Sequence, residues 1–329
     1  MRFVLRRLGF FFLTLWAALT INFIIPRMMP GNPALAMMAR FKGRLNGTVL
    51  HALEVEFGVD TKQSLWSQYV DYMRNTLTGH LGVSTTFFPE SVTDIIKTLL
   101  PWTLGLIGMT TILAFVLGTV IGIVGGWRRG GRLDSALPPI FVITSSFPYF
   151  WIAMMSILVF AIVLGWFPAN GGYDTSVFPQ PELSLQFMAD VLKHSVLPAA
   201  TILITAIGGW ILTMRNNMIT VVAEDYVKMG RAKGLPGRKV MYDYAARNAI
   251  LPNLTGFAMS LGFVVSGAIL VEYVFNYPGL GFVLLQAAQN EDYALMQGLF
   301  LIITLGVLLA VLAADLVTAV FDPRTRAES

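Results

Sequence analysis

Residues 224–236 read Glu224-Asp225-Tyr226-Val227-Lys228-Met229-Gly230-Arg231-Ala232-Lys233-Gly234-Leu235-Pro236, and this polar stretch lies between two long apolar runs. Hydrophobic residues make up 55% of the 329-residue chain, charged residues make up 13%, and the mean hydropathy is +0.66. An ordinary soluble domain carries about 25% charged residues. The composition therefore predicts an all-α membrane protein in which residues 224–236 face water, as a binding surface or as an ordinary charged loop.

The apolar residues are distributed along the whole chain in segments of helical length. A helix needs about 20 apolar residues to cross the roughly 30 Å hydrocarbon core of a bilayer. Six segments meet this requirement, and we predict that each crosses the membrane once: 8–25, 99–127, 136–166, 195–214, 249–271 and 293–314. The chain then divides into a start with the first span (1–30), a polar region (31–97) and a five-helix core (98–329).

The positions of the basic residues predict the orientation of these spans. Lysine and arginine cluster at 2–7, 128–132, 215–247 and 324–326, which all fall on one side of a six-span topology. Basic residues in short loops resist translocation. We therefore expect both termini and the charged segment, residues 220–248, to be cytoplasmic, in a multi-pass protein of a bacterial or archaeal cytoplasmic membrane.

The polar region 31–97 is expected on the other side of the membrane. Within it, apolar residues recur at helical spacing and predict an amphipathic helix: Leu65, Trp66, Tyr69, Val70, Met73 and Leu77. The region serves either as a cap on the bundle or as a docking surface for a partner.

The charged segment contains signals for two short helices. We predict a helix over 221–228 with Glu224 paired to Lys228, a break at Gly234-Leu235-Pro236, and a second helix over 238–247. Two short helices joined by a tight turn form a knob that is suited to transmit force from a soluble partner, although a plain charged loop fits the pattern equally well.

Several kinds of chemistry lack their residues in this chain. There is no cysteine, and the three histidines, His51, His80 and His194, are too far apart in sequence for a zinc motif. The glycines of 125–131 lack the lysine and hydroxyl of a phosphate-binding loop, and no serine, histidine and carboxylate stand at a recognisable spacing. We expect no metal, cofactor or nucleic acid to bind this chain, and no enzymatic activity of its own.

The charged segment resembles the coupling motif of ATP-binding cassette (ABC) importer permeases, in the oligopeptide, dipeptide and nickel branch. The resemblance rests on Glu224-Asp225-Tyr226, Arg231-Ala232-Lys233-Gly234-Leu235 and Arg247-Asn248-Ala249-Ile250-Leu251-Pro252. Further blocks follow the family's order: Pro30-Gly31-Asn32-Pro33, Gly79-His80-Leu81-Gly82-Val83-Ser84, Ser146-Phe147-Pro148-Tyr149-Phe150-Trp151, Glu272-Tyr273-Val274-Phe275, Pro278-Gly279-Leu280-Gly281 and Asp322-Pro323-Arg324.

The resemblance implies a type I importer permease with six transmembrane helices that forms half of a translocation path. Its implied partners are a homologous second permease, two ATP-binding subunits that hold ATP and magnesium, an extracytoplasmic solute-binding protein, and the lipid bilayer. The residues that it implies for coupling to the ATPase are Glu224, Asp225, Tyr226, Lys228, Arg231, Ala232, Lys233, Gly234, Leu235 and Pro252. The sequence departs from the general motif at Lys228-Met229-Gly230, where the older pattern has alanines and a shorter run to the last proline.

Polar and aromatic residues within the spans suggest where a solute passes. We predict as path-lining residues Ser146, Phe147, Trp151, Trp210 and Thr213. The resemblance implies short peptides as the solute, with oligosaccharides as the alternative. An ion-coupled secondary transporter using Glu272 or Asp315, or a scaffolding membrane protein, would explain the composition but not the ordered motifs.

Overall fold

The computed structural model describes residues 2–28, 63–266 and 268–321, and these residues are mostly helical. Among them, extended backbone pairs at a single isolated bridge between Val83 and Ser91. The described helices are, in chain order, α1 (Arg2–Met28), α2 (Leu65–Thr78), α3 (Val92–Trp127), α4 (Arg132–Ser146), α5 (Tyr149–Val163), α6 (Leu185–Val222), α7 (Asp225–Ala232), α8 (237–249), α9 (Leu251–Val264), α10 (Ile269–Val274), α11 (Leu280–Gln289) and α12 (Tyr293–Phe321). The predicted all-α fold is confirmed.

Four of the described helices are long and apolar enough to cross a membrane. They include Arg6–Met28 of α1, α3, α6 and Tyr293–Ala314 of α12, and they match four of the predicted spans. Helix α6 is longer than predicted, because Ser184 caps its start and the helix continues for 38 residues to Val222. A membrane protein with several spanning helices is thus confirmed, while six crossings stay a prediction.

The other two predicted spans are not continuous helices. The span predicted over 136–166 divides at Phe147-Pro148 into α4 and α5. Proline has no N–H to donate and disfavours a helical conformation in the residue before it, and Phe147 accordingly adopts φ −87° and ψ 131°. The span predicted over 249–271 likewise divides into α9 and α10. The expectation of one uninterrupted helix is therefore wrong at both places.

Glycines bring α3 and α6 into close contact. Three glycines spaced four residues apart on α3 face α6, and a Cβ added to each would lie within 2.7 Å of a Cβ on α6: Gly118 with Trp210 (2.5 Å), Gly122 with Met214 (2.7 Å) and Gly126 with Met218 (2.5 Å). Small residues at this spacing let two helix backbones approach closely. Gly262 meets Ala310 in the same way, at 2.6 Å, and joins α9 to α12.

Helix α2 confirms the amphipathic helix predicted within 31–97. Ser64 caps its start, and Gly79 ends it with φ +78°. Its Tyr69 hydroxyl lies 2.8 Å from the Thr20 hydroxyl of α1, and the Asn22 amide donates to the Tyr72 hydroxyl over 3.1 Å. The tyrosines therefore dock α2 on α1, while the apolar residues Leu65, Trp66 and Leu77 are more than 60% exposed. Predictions on 29–62, including Pro30-Gly31-Asn32-Pro33 and His51, lie outside the described residues.

Candidate functional site

The charged segment forms the predicted pair of short helices with shifted bounds. Helix α6 continues through Val222, so the first short helix is α7 (Asp225–Ala232) rather than 221–228, with the extended Glu224 at its start. Gly234 then adopts φ +73°, which favours glycine and turns the chain into α8. We call the end of the helix bundle that carries α7 and α8 the basic end.

One side of the charged segment is packed into the protein. Val227, Gly230 and Val240 are buried, and a Cβ on Gly230 would lie 3.6 Å from Val240 and from Tyr244 of α8. The two short helices share one hydrophobic cluster with Ile123 of α3 and with the fully buried Met214 and Met218 of α6, and the half-buried Leu235 packs against that cluster. The two short helices thus pack directly against α3 and α6, the two longest of the described helices.

The other side of the charged segment is exposed. Of the ten predicted coupling residues, nine lie on or near this surface and are at least partly exposed: Glu224, Asp225, Tyr226, Lys228, Arg231, Ala232, Lys233, Gly234 and Leu235. Pro252 lies apart from them, at the start of α9. Lys228 Nζ binds Asp225 Oδ1 at 2.9 Å, so the predicted Glu224–Lys228 pair is wrong.

Sequence reasoning missed Met229 as a candidate contact residue. Its side chain is 58% exposed and follows Tyr226, which is 39% exposed, by three positions on α7. Residues three apart share one face of a helix. The two side chains thus make an apolar stripe on a surface that is otherwise charged, and the spacing would have shown it once α7 was started at Asp225.

A cation–aromatic contact and a buried ion pair hold the helices together at the basic end. The Arg231 guanidinium lies 4.6 Å from the ring centroid of Trp127, the last residue of α3. Arg215 of α6 forms an ion pair with the buried Asp134 of α4, and the Gly130 N–H donates to the same carboxylate over 2.8 Å. The Arg215 and Gly130 hydrogen bonds hold the pKa of Asp134 below its usual range. These contacts join α7, α3, α4 and α6 near the charged segment.

The predicted path residues occupy two different environments. Ser146, Phe147 and Trp151 lie at the break between α4 and α5, where Phe147 and Trp151 are about half exposed. Trp210 instead packs between Phe115 of α3 and Phe257 of α9, with ring centroids 5.4 and 6.4 Å away. Thr213 is exposed one turn further along α6. In the described part of the chain, no ring contact joins Trp151 to Trp210, so the two groups stay separate candidates.

Glu272 is fully buried at the end of the bundle opposite the basic end. Its carboxylate accepts hydrogen bonds from the Thr103 hydroxyl at 3.0 Å, the Gly281 N–H at 2.7 Å and the Phe282 N–H at 3.2 Å. Thr103 in turn accepts from the Leu280 N–H at 2.8 Å. A carboxylate at a helix start satisfies N–H groups that have no partner within the helix. Glu272 therefore caps α11, which favours a structural role for it over proton transport.

The packing around the Glu272 cap explains why residues 279 and 281 are glycines. A Cβ on Gly279 would lie 2.3 Å from the Glu272 carboxyl carbon, and one on Gly281 would lie 2.7 Å from the Ile269 Cα. Only glycine leaves room for the carboxylate there. The motifs 272–275 and 278–281 thus form one structural unit. The other acidic candidate, Asp315, lies in α12 with its side chain outside the described residues.

Asp292 makes a second buried cap at the same end. It accepts hydrogen bonds from the Ser84 hydroxyl at 2.5 Å, the Thr86 N–H at 2.9 Å and the Leu295 N–H at 3.1 Å. These hydrogen bonds join residues 84–86, which precede α3, to the first turn of α12. Among the described residues, no three histidine, aspartate or glutamate side chains come close enough together to hold a metal ion.

Comparison with known proteins identifies the family to which this chain belongs. Residues 118–327, which include the charged segment, match the model of the family described as "Binding-protein-dependent transport system inner membrane component". The chain belongs to this family. It is an ABC importer permease, and the resemblance noted in the sequence is confirmed.

Relatives of this permease match over nearly their whole length. The chain is 31% identical to the "Di/tripeptide transport system permease protein DppB" of Pseudomonas aeruginosa, over 98% of each chain. It is 29% identical to the "Oligopeptide transport system permease protein AppB" of Bacillus subtilis, over 92% of each, and 31% identical to the "Dipeptide transport system permease protein DppB" of Escherichia coli, over 99% of each. The permease is thus a multi-pass membrane protein that works with the other components of an ABC transporter.

Proposed function

We propose that this chain is one of two homologous permease subunits of an ATP-driven importer of short peptides. The observation that carries the coupling part of the proposal is the charged segment, which is exposed on one side and packed on the other against α3 and α6. Peptides are favoured as the solute because relatives that match nearly the whole chain are named as dipeptide, di/tripeptide and oligopeptide permeases.

In this proposal, α7 docks into a groove of an ATP-binding subunit. Tyr226 and Met229 supply the apolar contact, and Asp225, Lys228 and Lys233 surround it with charge. Buried apolar anchors with a charged rim are the usual composition of a protein interface. When two ATP-binding subunits close around ATP and magnesium, α7 moves with them. The buried residues Val227 and Val240 then pass the displacement to Met214 and Met218 of α6.

The orientation of the permease follows from the same assignment. The basic end with α7 and α8 faces the cytoplasm together with both termini, and the region 31–97 lies outside, where a solute-binding protein delivers the solute. The organism would be a bacterium or an archaeon, and the membrane its cytoplasmic membrane. The solute then passes the helix break with Ser146, Phe147 and Trp151 and, toward the basic end, Trp210 and Thr213.

Reconstitution of the importer tests this function. The complex is purified through a tag on this chain, placed in liposomes, and supplied with its solute-binding protein loaded with a tripeptide or with an oligosaccharide. We expect the tripeptide to stimulate ATP hydrolysis several-fold and the oligosaccharide to have no effect. Stimulation by the oligosaccharide alone would replace the proposed solute and keep the coupling. A purified complex without ATPase subunits would overturn the proposal as a whole.

A further inference from the structure

A cavity of about 520 Å³ opens between α5, α10 and α11. Its lining includes Met154 of α5, Tyr273 and Asn276 at the end of α10, and Phe282, Gln286 and Gln289 of α11. Sites for small molecules in proteins typically measure about 300–1,000 Å³. The volume therefore suits a solute of the size of a short peptide.

The cavity presents neutral polar groups that have no partner of their own. In the described part of the chain, no hydrogen bond uses the side-chain amides of Asn276, Gln286 and Gln289. Polar groups without partners are costly in hydrocarbon. Lipid tails are thus a poor occupant, and water or a polar solute suits this space better.

The walls of the cavity are held in place by the buried cap at Glu272. Glu272 precedes Tyr273 in α10, and its carboxylate binds the N–H groups of Gly281 and Phe282 at the start of α11. The rings of Tyr273 and Phe282 lie 6.1 Å apart, tilted by 36°. Because the two helices are tied together next to the cavity, its shape is preorganised for a ligand.

The cavity also adjoins the proposed solute path. Met154 lies three residues after Trp151 on α5, so the two side chains share a face of that helix. They are 44% and 49% exposed. A solute that leaves the cavity toward the basic end would thus meet Trp151 next.

The lining is suited to bind the main chain of a peptide, and it is not specific for any one peptide side chain. Side-chain amides both donate and accept hydrogen bonds, as peptide groups require. Met154 and the rings of Tyr273 and Phe282 offer adaptable apolar contact, and methionine in particular tolerates ligands of varied shape. The lining contains no charged side chain, so it does not select peptides by charge.

We propose that this cavity is a transit subsite, within the permease itself, that holds the main chain of a short peptide between its release from the solute-binding protein and its passage inward. The proposal rests on the peptide solute inferred above. It adds that side chains of this permease contact the peptide directly, so that part of the importer's preference for peptide length resides in this chain.

The first test narrows the cavity and measures uptake by the complete reconstituted importer. Met154→Trp is compared with Met155→Trp, because Met155 is 51% exposed on the same helix but does not line the cavity. We expect Met154→Trp to lower the ratio of trialanine to dialanine uptake at least threefold and Met155→Trp to leave that ratio unchanged. An unchanged ratio in Met154→Trp would overturn the subsite. Absence of peptide uptake in the wild-type importer would instead remove the peptide function, which separates the two failures.

The second test measures occupancy directly through a cysteine. Since the chain has no cysteine, Gln289→Cys introduces a unique thiol on this subunit, and Val177→Cys provides a control that is 63% exposed in the loop before α6. In the assembled importer, trialanine should slow modification of the Gln289→Cys thiol by a polar methanethiosulfonate at least threefold and leave that of Val177→Cys unchanged. Equal rates with and without the peptide would overturn the subsite. So would a Gln289→Cys thiol that never reacts, because a partner subunit would then cover the cavity.

Discussion

The guanidinium of Arg231 lies over the indole ring of Trp127, 4.6 Å from its centroid. Arg231 belongs to the short helix α7 and Trp127 is the last residue of α3, so this contact joins the proposed ATPase-docking surface to a spanning helix. A cation over an aromatic face contributes about 0.5–1 kcal/mol at an exposed site. The contact also holds α7 in a fixed position relative to the end of α3.

Trp127→Leu should therefore weaken coupling more than stability. We expect solute-stimulated ATP hydrolysis by the reconstituted importer to fall about threefold or more, while the melting temperature changes by no more than a few degrees. Trp66→Leu, at a tryptophan that is 72% exposed on α2, serves as the matched control. Arg231→Lys should keep part of the activity, because an ammonium over the ring retains the cation–aromatic attraction. An Arg231→Lys protein as inactive as Arg231→Ala would speak against this attraction as the cause.

The apolar stripe formed by Tyr226 and Met229 on α7 is expected to bind the ATP-binding subunit. Met229→Glu places a charge in the middle of the proposed contact and should reduce co-purification of the ATP-binding subunits at least fivefold. Lys239→Glu, at an exposed position of α8, is the control for a new negative charge at the basic end. Pull-down through a tag on this chain, followed by quantification of each subunit, provides the measurement. Equal retention by both variants would place the contact elsewhere.

The close contact between α3 and α6 predicts a strong effect of a single methyl group. Gly122→Ala would bring a Cβ to 2.7 Å from the Ile211 carbonyl oxygen and the Met214 Cβ, neither of which can move without shifting α6. Overpacking of this kind costs about 1–3 kcal/mol. Thermal unfolding in detergent should reveal a clear decrease in melting temperature. Gly209→Ala should be neutral or slightly stabilising, since nothing lies within 4 Å of its Cβ position on α6.

Removing the acceptor at Glu272 should destabilise the end of the bundle opposite the charged segment. In Glu272→Gln, the amide oxygen can stay with the N–H groups of Gly281 and Phe282, but the NH₂ group then faces the Thr103 hydroxyl, which loses its acceptor, and the charge of the cap is lost. The expected cost is about 1–3 kcal/mol. Glu90→Gln, at an exposed glutamate, should have no measurable effect on unfolding. A stable Glu272→Gln protein that has lost transport would point to proton transfer by this residue and away from a structural cap.

Composition and local pattern were sufficient for the helical fold, for four of the spanning helices and for the position of the charged segment. Hydropathy did not predict the interruption at Phe147-Pro148. The proline ends the helix there, but it hardly changes the mean hydropathy of the span. The Gly118, Gly122 and Gly126 spacing was readable in the sequence, but its partner helix was not.

The hydrogen bonds of the buried acids could not be predicted from local sequence. Thr103 and Glu272 are 169 residues apart, and Ser84 and Asp292 are 208 apart, so only the tertiary fold brings each pair together. Glu272 was consequently considered as a proton carrier from its type and depth alone. Its three donors are visible only once α3 and α11 are placed side by side.

Helix α6 runs without interruption from its Ser184 cap to Val222, next to α7. At 1.5 Å per residue, its 38 residues measure about 57 Å. The helix contains Pro198 near the end remote from α7. A tilt of about 5° around one end of a helix of this length displaces the other end by roughly 5 Å, the rise of one helical turn. A small rotation at α7 would in this way become a displacement of several ångströms at the other end of α6.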